Sequence, residues 1–184
     1  MRAKSSQRIS SLTDGRARPE EGGERRDVEI ADATSSDLAE IIDLDARVTG
    51  LARPEFWNEL FRRRDTSDSL YVLVATSAGK IVGYALGEVR SWPVRAPACG
   101  WLYAVGVDER YRLRKCGSAL MAELISRFKR SGVGAIRTVI NMDDHLLMSF
   151  LRSVGMTAGP FVELEMIWPD EQREDESKAQ ASTR

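Results

Sequence analysis

The sequence predicts an α+β domain with a mixed central sheet of about six strands and four helices on its two faces. Three observations predict it. Three β-rich runs, Leu70–Thr76, Lys80–Val89 and Gly100–Val107, follow one another with short or proline-containing connections, as in a meander. Two amphipathic helical stretches precede them. After Val107 the pattern alternates helix, strand, helix, strand, which places helices on both sides of one sheet.

Taken in order, VEIADA from Val28 reads as a short strand. Thr34-Ser35-Ser36-Asp37 is a helix-start signal, with a hydroxyl at the N-cap and an acid in the first turn. Leu38, Ile41, Ile42 and Leu44-Asp45 then recur at the spacing of one helical face. Pro54 opens a second helix, PEFWNELFRRR, whose stripe of Phe56, Trp57, Leu60 and Phe61 belongs to the core. Ala78-Gly79 turns the first meander strand into the second, where Val82, Tyr84, Leu86 and Glu88 alternate onto one face. A loop with Pro93 and Pro97 leads to the third. Ser118 to Gly132 is a helix burying Leu120, Met121, Leu124, Ile125 and Phe128, closed by Gly132. Ala135 to Asn141 is a strand, His145 to Met156 a helix capped by Asp144, and Phe161 to Trp168 a final strand.

One domain over residues 28–168 therefore fits the 184-residue length. Residues 1–27 and 169–184 lack hydrophobic periodicity and are expected to be disordered tails. Lysine and arginine total 27 against 28 acids, so bulk charge points to neither nucleic acid nor a membrane surface. Cys99 and Cys116 show neither disulfide nor metal spacing, and with the single histidine, His145, no metal site is expected. No apolar run is long enough to span a bilayer, and no secretory leader is visible, so the expected compartment is the cytoplasm.

The chemistry concentrates at VDERYRLRKCGSALM, from Val107 to Met121. Four cations stand between Arg110 and Lys115, followed by the small residues Cys116-Gly117-Ser118, where a strand hands over to a helix. The first amides of a helix have no intrahelical acceptor and point outward together at the positive end of its dipole. Small residues let a phosphate approach them, and Arg112, Arg114 and Lys115 add charge around it. A pyrophosphate suits this arrangement. On these residues alone, a solvated basic turn capped by Gly117 fits equally well.

VGVDERYRLRKCGSALM resembles the acetyl-CoA-binding motif of the GNAT superfamily of N-acetyltransferases, in which (Arg/Gln)-x-x-Gly-x-(Gly/Ala) opens a helix. Arg112-Leu113-Arg114-Lys115-Cys116-Gly117 occupies those positions, and Ser118 follows. FLRSVGM, from Phe150, resembles the family's late helix, and the order of elements agrees from Val28 to Trp168. Two residues depart from the pattern. Lys115 replaces the motif's first glycine, which carries a steric cost of about 1 kcal/mol or more if the turn is left-handed. Leu151 stands where the family has a tyrosine that protonates the leaving thiolate; Tyr103 and Tyr111 are not placed there by any spacing.

The resemblance implies direct transfer of an acetyl group from acetyl-CoA, the cosubstrate, to a primary amine on a small molecule or a protein. The acceptor is unspecified, and the chain is expected to be a monomer or homodimer. The implied CoA site comprises Val105, Gly106 and Val107 on a splayed strand, Arg112 to Ser118 in the turn, and Asp144 and Leu151 beyond it. The amine must lose a proton before attack, and Glu88 is the candidate base, with a plain edge carboxylate as the equal alternative. Asp144 also reads as an N-cap, Asp108 as a turn residue and His145 as an exposed helix start; Cys116 reads as a small packing residue. The departures leave a second reading open, a non-catalytic acyl-CoA-binding or sensor module of the same fold.

Overall fold

The computed structural model describes residues 28–91 and 96–168, with the backbone but not the side chain of Leu113. The two predicted tails and Pro93 lie outside the described residues. β1 (Glu29–Asp32) leads through a 3-10 turn (Ser35–Asp37) to α1 (Leu38–Thr49) and α2 (Pro54–Arg64). β2 (Leu70–Ser77), β3 (Lys80–Arg90) and β4 (Cys99–Val107) form the meander, and a second 3-10 turn (Glu109–Arg114) enters α3 (Cys116–Arg130). β5 (Ile136–Arg137) and α4 (His145–Ser153) complete the elements.

The sheet runs β1-β2-β3-β4-β5, antiparallel except for the parallel β4–β5 pair. Among the described residues it has five strands: Phe161–Trp168, expected as the last, joins no ladder there and is exposed. β5 is shorter than the expected Ala135–Asn141 because only Gly100↔Ile136 and Trp101↔Arg137 pair before the two chains part.

The start signal at Thr34 is real. Asp37 Oδ2 accepts from the Thr34 N–H at 2.6 Å and from its hydroxyl at 2.8 Å. Gly50 closes α1 in the left-handed conformation, and Pro54 sits in the first turn of α2. One core lies under these helices, with Ile41, Leu44, Trp57, Leu60 and Phe61 packed on Val72, Val74, Tyr84 and Leu86. The other lies under α3 and α4, where Leu120, Met121, Leu124, Phe128 and Leu151 pack on Leu73, Ala75, Ala85 and Leu102.

Two irregularities in the ladders set the faces. Between Ala75↔Gly83 and Thr76↔Ile81, Val82 is the extra residue of β3. It therefore turns to the α3 side, away from Tyr84, Leu86 and Glu88, with which the plain alternation grouped it. Between Leu86↔Ala104 and Gly87↔Leu102, Tyr103 is the extra residue of β4.

Candidate functional site

The bulge at Tyr103 and the end of β5 lie side by side, and together they open the sheet. Beyond Trp101, β4 has no strand partner on its β5 side among the described residues. The Thr138 hydroxyl donates to the Leu102 carbonyl at 2.9 Å, a side chain substituting for the next ladder bond. Residues 139–144 then lead away to α4. Val105, Gly106 and Val107 are thus paired with β3 on one side and, among the described residues, left as a strand edge on the other. Gly106 is required there by a close approach: a Cβ would come within 2.5 Å of the Tyr84 ring.

At the end of β4 the chain turns through Glu109–Arg114 into α3. Asp108 caps this turn, accepting from the Arg110 N–H at 3.1 Å and pairing with its guanidinium at 2.9 and 2.8 Å. That bidentate partner holds the Asp108 carboxyl down at about 2. Arg112 donates to the Val107 carbonyl at 3.3 Å and faces Glu109, while Arg114 lies over the Tyr111 ring. Lys115 is exposed and, among the described residues, has no ion-pair partner. It adopts φ 60°, ψ 12°, so the left-handed turn that the motif's glycine would make is made here by lysine.

The first α3 amide to bond back is Ala119, to the Lys115 carbonyl at 2.9 Å. The amides of Cys116, Gly117 and Ser118 precede it at the start of the helix; Cys116 and Gly117 are buried and Ser118 is exposed. Gly117 lets α3 start close against α4: a Cβ there would meet the Phe150 ring at 3.1 and 3.2 Å. Cys116 is fully buried, and burial pushes its thiol up to about 11, so it is a core residue and not a nucleophile.

The remaining sequence candidates separate. Asp144 caps α4, its Oδ1 accepting from the Leu147 N–H at 2.9 Å, and His145 stands exposed beside it. Leu151 is buried in the α3-side core. Glu88 is buried on the opposite face, beside the bulge. It accepts from Arg63 of α2 at 2.9 Å and from the Tyr103 hydroxyl at 2.8 Å, and Arg90 donates to that same hydroxyl at 3.2 Å. Burial and the Glu88 carboxylate raise the Tyr103 phenol above its usual range.

A second polar cluster was not foreseen. Asp45, fully buried on α1, accepts from Arg53 at 3.1 and 2.7 Å, from the Trp57 indole at 2.8 Å and from the Tyr84 hydroxyl at 2.5 Å. Burial acts to raise its pKa, but the Arg53, Tyr84 and Trp57 bonds outweigh that and hold it below the usual carboxylate range. The cluster ties the α1–α2 connection to the strand that faces Gly106. Its one visible signal is an acid inside the apolar stripe of α1.

Among the described residues no group of three His, Cys, Asp or Glu is placed to hold a metal, and no helix is long and apolar enough to cross a membrane. A meander whose fourth strand bulges and parts from the fifth, followed by a cationic turn into a helix, defines the GNAT-like acyl-CoA N-acyltransferase fold. The chain belongs to the acetyltransferase (GNAT) family, whose profile matches residues 38–156. Among solved structures, it resembles AAC(6')-Iy in complex with the bisubstrate analog CoA-S-monomethyl-acetylneamine, at 14% identity and TM-score 0.69, over 77% of this chain and 99% of that one. It also resembles a transcriptional regulator from Bacillus halodurans C-125, at 20% identity and TM-score 0.67, over 77% and 100%. A third is the aminoglycoside acetyltransferase meta-AAC0020 from an uncultured soil metagenomic sample in complex with sisomicin, at 20% identity and TM-score 0.62, over 77% and 95%. No curated protein sequence matches this one.

Proposed function

We propose that this protein transfers an acetyl group from acetyl-CoA to a primary amine by direct attack in a ternary complex. The carrying observation is the juxtaposition of the β4 edge at Val105 to Val107, unpaired among the described residues, with the cationic turn that starts α3. The strand edge suits the pantetheine amides, and Arg112, Arg114, Lys115 and the amides from Cys116 to Ser118 suit the phosphates. Acetyl-CoA supplies the activated acyl group. The chain's own contribution is to hold the amine against it, which removes most of the entropic barrier of a bimolecular step.

Glu88 is the proposed base, acting through Tyr103. The phenol already donates to Glu88, so an amine that gives its proton to the Tyr103 oxygen passes one on to the carboxylate without either group leaving its place. A β4 amide near Val105–Val107 donates to the carbonyl oxygen as charge develops there. As the C–N bond forms and the C–S bond breaks, the thiol departs as a reasonably good leaving group, with a reference pKa near ~8.5. It then takes its proton from water or from the amine. The acceptor is proposed only as an amine, on a small molecule or a protein; two of the similar structures are aminoglycoside acetyltransferases.

One observation favours the non-catalytic reading, an acyl-CoA sensor: the position of the family's acid holds Leu151, buried and without a hydroxyl. The test is thermal stabilisation by acetyl-CoA followed by turnover against an amine panel. Glu88→Gln is expected to lower kcat/KM about 10²–10⁴-fold with acetyl-CoA affinity unchanged. Stabilisation without turnover of any amine favours the sensor, and absence of stabilisation removes both readings.

A further inference from the structure

The alternation of β3 puts Glu88 and Arg90 on one face of the sheet, α2 lays Arg63 over it, and the bulge in β4 brings Tyr103 to the same spot. Two guanidinium groups therefore stand about a single carboxylate. Arg63 Nη2 donates to Glu88 Oε1 at 2.9 Å, and Arg90 Nε lies 3.9 Å from Oε2. The Tyr103 hydroxyl donates to that second oxygen at 2.8 Å and accepts from Arg90 Nη1 at 3.2 Å. Two cations against one anion leave the group with one positive charge in excess. The Asp45 cluster on the same face is balanced, one carboxylate to Arg53.

The excess is presented outward. The Arg63 and Arg90 side chains are 46 and 54% exposed, against 9% for Glu88. A guanidinium carries five N–H donors. Among the described residues, Arg63 uses one of them, on Glu88, and Arg90 uses one, on the neutral Tyr103 hydroxyl. No carboxylate among those residues lies within hydrogen-bond distance of Arg90. An under-used fork thus stands beside the oxygen to which the attacking amine gives its proton.

We propose that the acceptor is a small amine carrying its own anion, a carboxylate or phosphate a few bonds from the nitrogen, and that Arg90 together with Arg63 receives that anion. This names the acceptor class of the acetyl-transfer reading and rests on it. With the nitrogen at the Tyr103 oxygen, a short spacer brings the anion to Arg90, whose planar fork suits either oxyanion. The excess positive charge also disfavours the ammonium form of the arriving amine, and so favours the neutral form that attacks. A second ammonium on the acceptor meets the same two guanidinium groups and is repelled.

The test is a panel of matched amines with acetyl-CoA, read by thiol release: β-alanine against β-alaninamide, O-phosphoethanolamine against ethanolamine, and sisomicin as a polycation. The anionic member of at least one pair is expected to exceed its partner about tenfold or more in kcat/KM, and the better pair distinguishes carboxylate from phosphate. Arg90→Gln keeps a donor for the Tyr103 oxygen and is expected to remove most of that ratio, while Arg90→Lys retains part of it. A ratio taken within one pair and compared between variants cancels the amines' own basicity. Equal or better transfer to the uncharged partners or to sisomicin, or a ratio unmoved by Arg90→Gln, would overturn the proposal. If acetyl-CoA stabilises the protein and no amine is acetylated, the transfer reading fails by itself. Calorimetric binding of the same pairs with CoA present then decides the charge preference, and equal binding of both members overturns it.

Discussion

The Tyr84 ring occupies the space that a side chain at Gly106 would need, with Cε1 and Cζ each 2.5 Å from an ideal Cβ. Tyr84 cannot easily withdraw, because its hydroxyl is bound to the buried Asp45 at 2.5 Å. The unpaired edge of β4 is thereby locked to the α1–α2 layer. Gly106→Ala forces one of these groups to move, at an overpacking cost of about 1–3 kcal/mol. The melting temperature is expected to fall by roughly 3–10 °C, with weakened acetyl-CoA binding. A silent alanine would show that the strand edge is not held as described.

Removing Asp45 leaves Arg53, the Trp57 indole and the Tyr84 hydroxyl without their common acceptor. Asp45→Ala is expected to cost about 3–4 kcal/mol, the lower part of the range for a broken buried pair, since Arg53 reaches solvent. The pH dependence has a definite sign. The folded-state pKa lies below the unfolded value near ~3.9, so the ionised group stabilises the fold above about pH 4 and the contribution is lost as pH falls through the folded value. Thermal melts from pH 6 down to 2 should therefore show a shallower acid slope in Asp45→Ala than in wild type. Asp108, held at about 2, contributes to the same wild-type slope, and Asp108→Asn should flatten it separately.

At the start of α3, two adjacent substitutions should give opposite signatures. Gly117→Val drives a branched side chain into the Phe150 ring and shifts the start of α3, so acetyl-CoA affinity should fall more than about tenfold. Cys116→Ser keeps the turn small but buries a hydroxyl where the thiol has no exposure. Its expected effect is a stability loss of about 1–3 kcal/mol with affinity retained. Isothermal titration alongside thermal melts separates the two. Unchanged affinity in the valine variant would place the phosphates elsewhere.

Leu151 packs in the same core as Leu120 and Leu124, so Leu151→Tyr is an insertion into a filled space. The expected outcome is a loss of about 1–3 kcal/mol, with acetyl-CoA affinity within about twofold of wild type. A rise in acetyl transfer in this variant, measured by thiol release, would show instead that the new hydroxyl reaches the sulfur.

The helices and the meander were legible because each carries its own signal: a stripe on α1, Pro54 at the start of α2, a small-residue opening to α3. The turn at Lys115 was legible only as a condition: its glycine position in the motif raised the left-handed conformation without deciding it, and the residue adopts φ 60°. Val82 was misplaced because a bulge changes the alternation and leaves no mark in composition. The partners of Glu88 were hidden for a different reason. Arg63 lies 25 residues away, and Tyr103 reaches it only through the bulge. Phe161–Trp168 has every local feature of a strand, but a strand is completed by a neighbour, and sequence periodicity does not say which one.

The extra residue in β4 shifts the phase of the strand. Before Tyr103, even-numbered positions such as Gly100 and Leu102 face α3; after it, Ala104 and Gly106 face α1 instead. A phase shift counts residues and is indifferent to their side chains. Exchanging Tyr103 for phenylalanine or alanine therefore leaves the opening in the sheet while deleting the hydroxyl that touches Glu88. Deleting the residue outright removes both: the hydroxyl is lost, and a single phase is restored along β4, which sends Gly106 and Val107 to the opposite faces. The phenylalanine exchange therefore removes the chemistry alone, and whatever the deletion loses beyond it belongs to the phase of the strand.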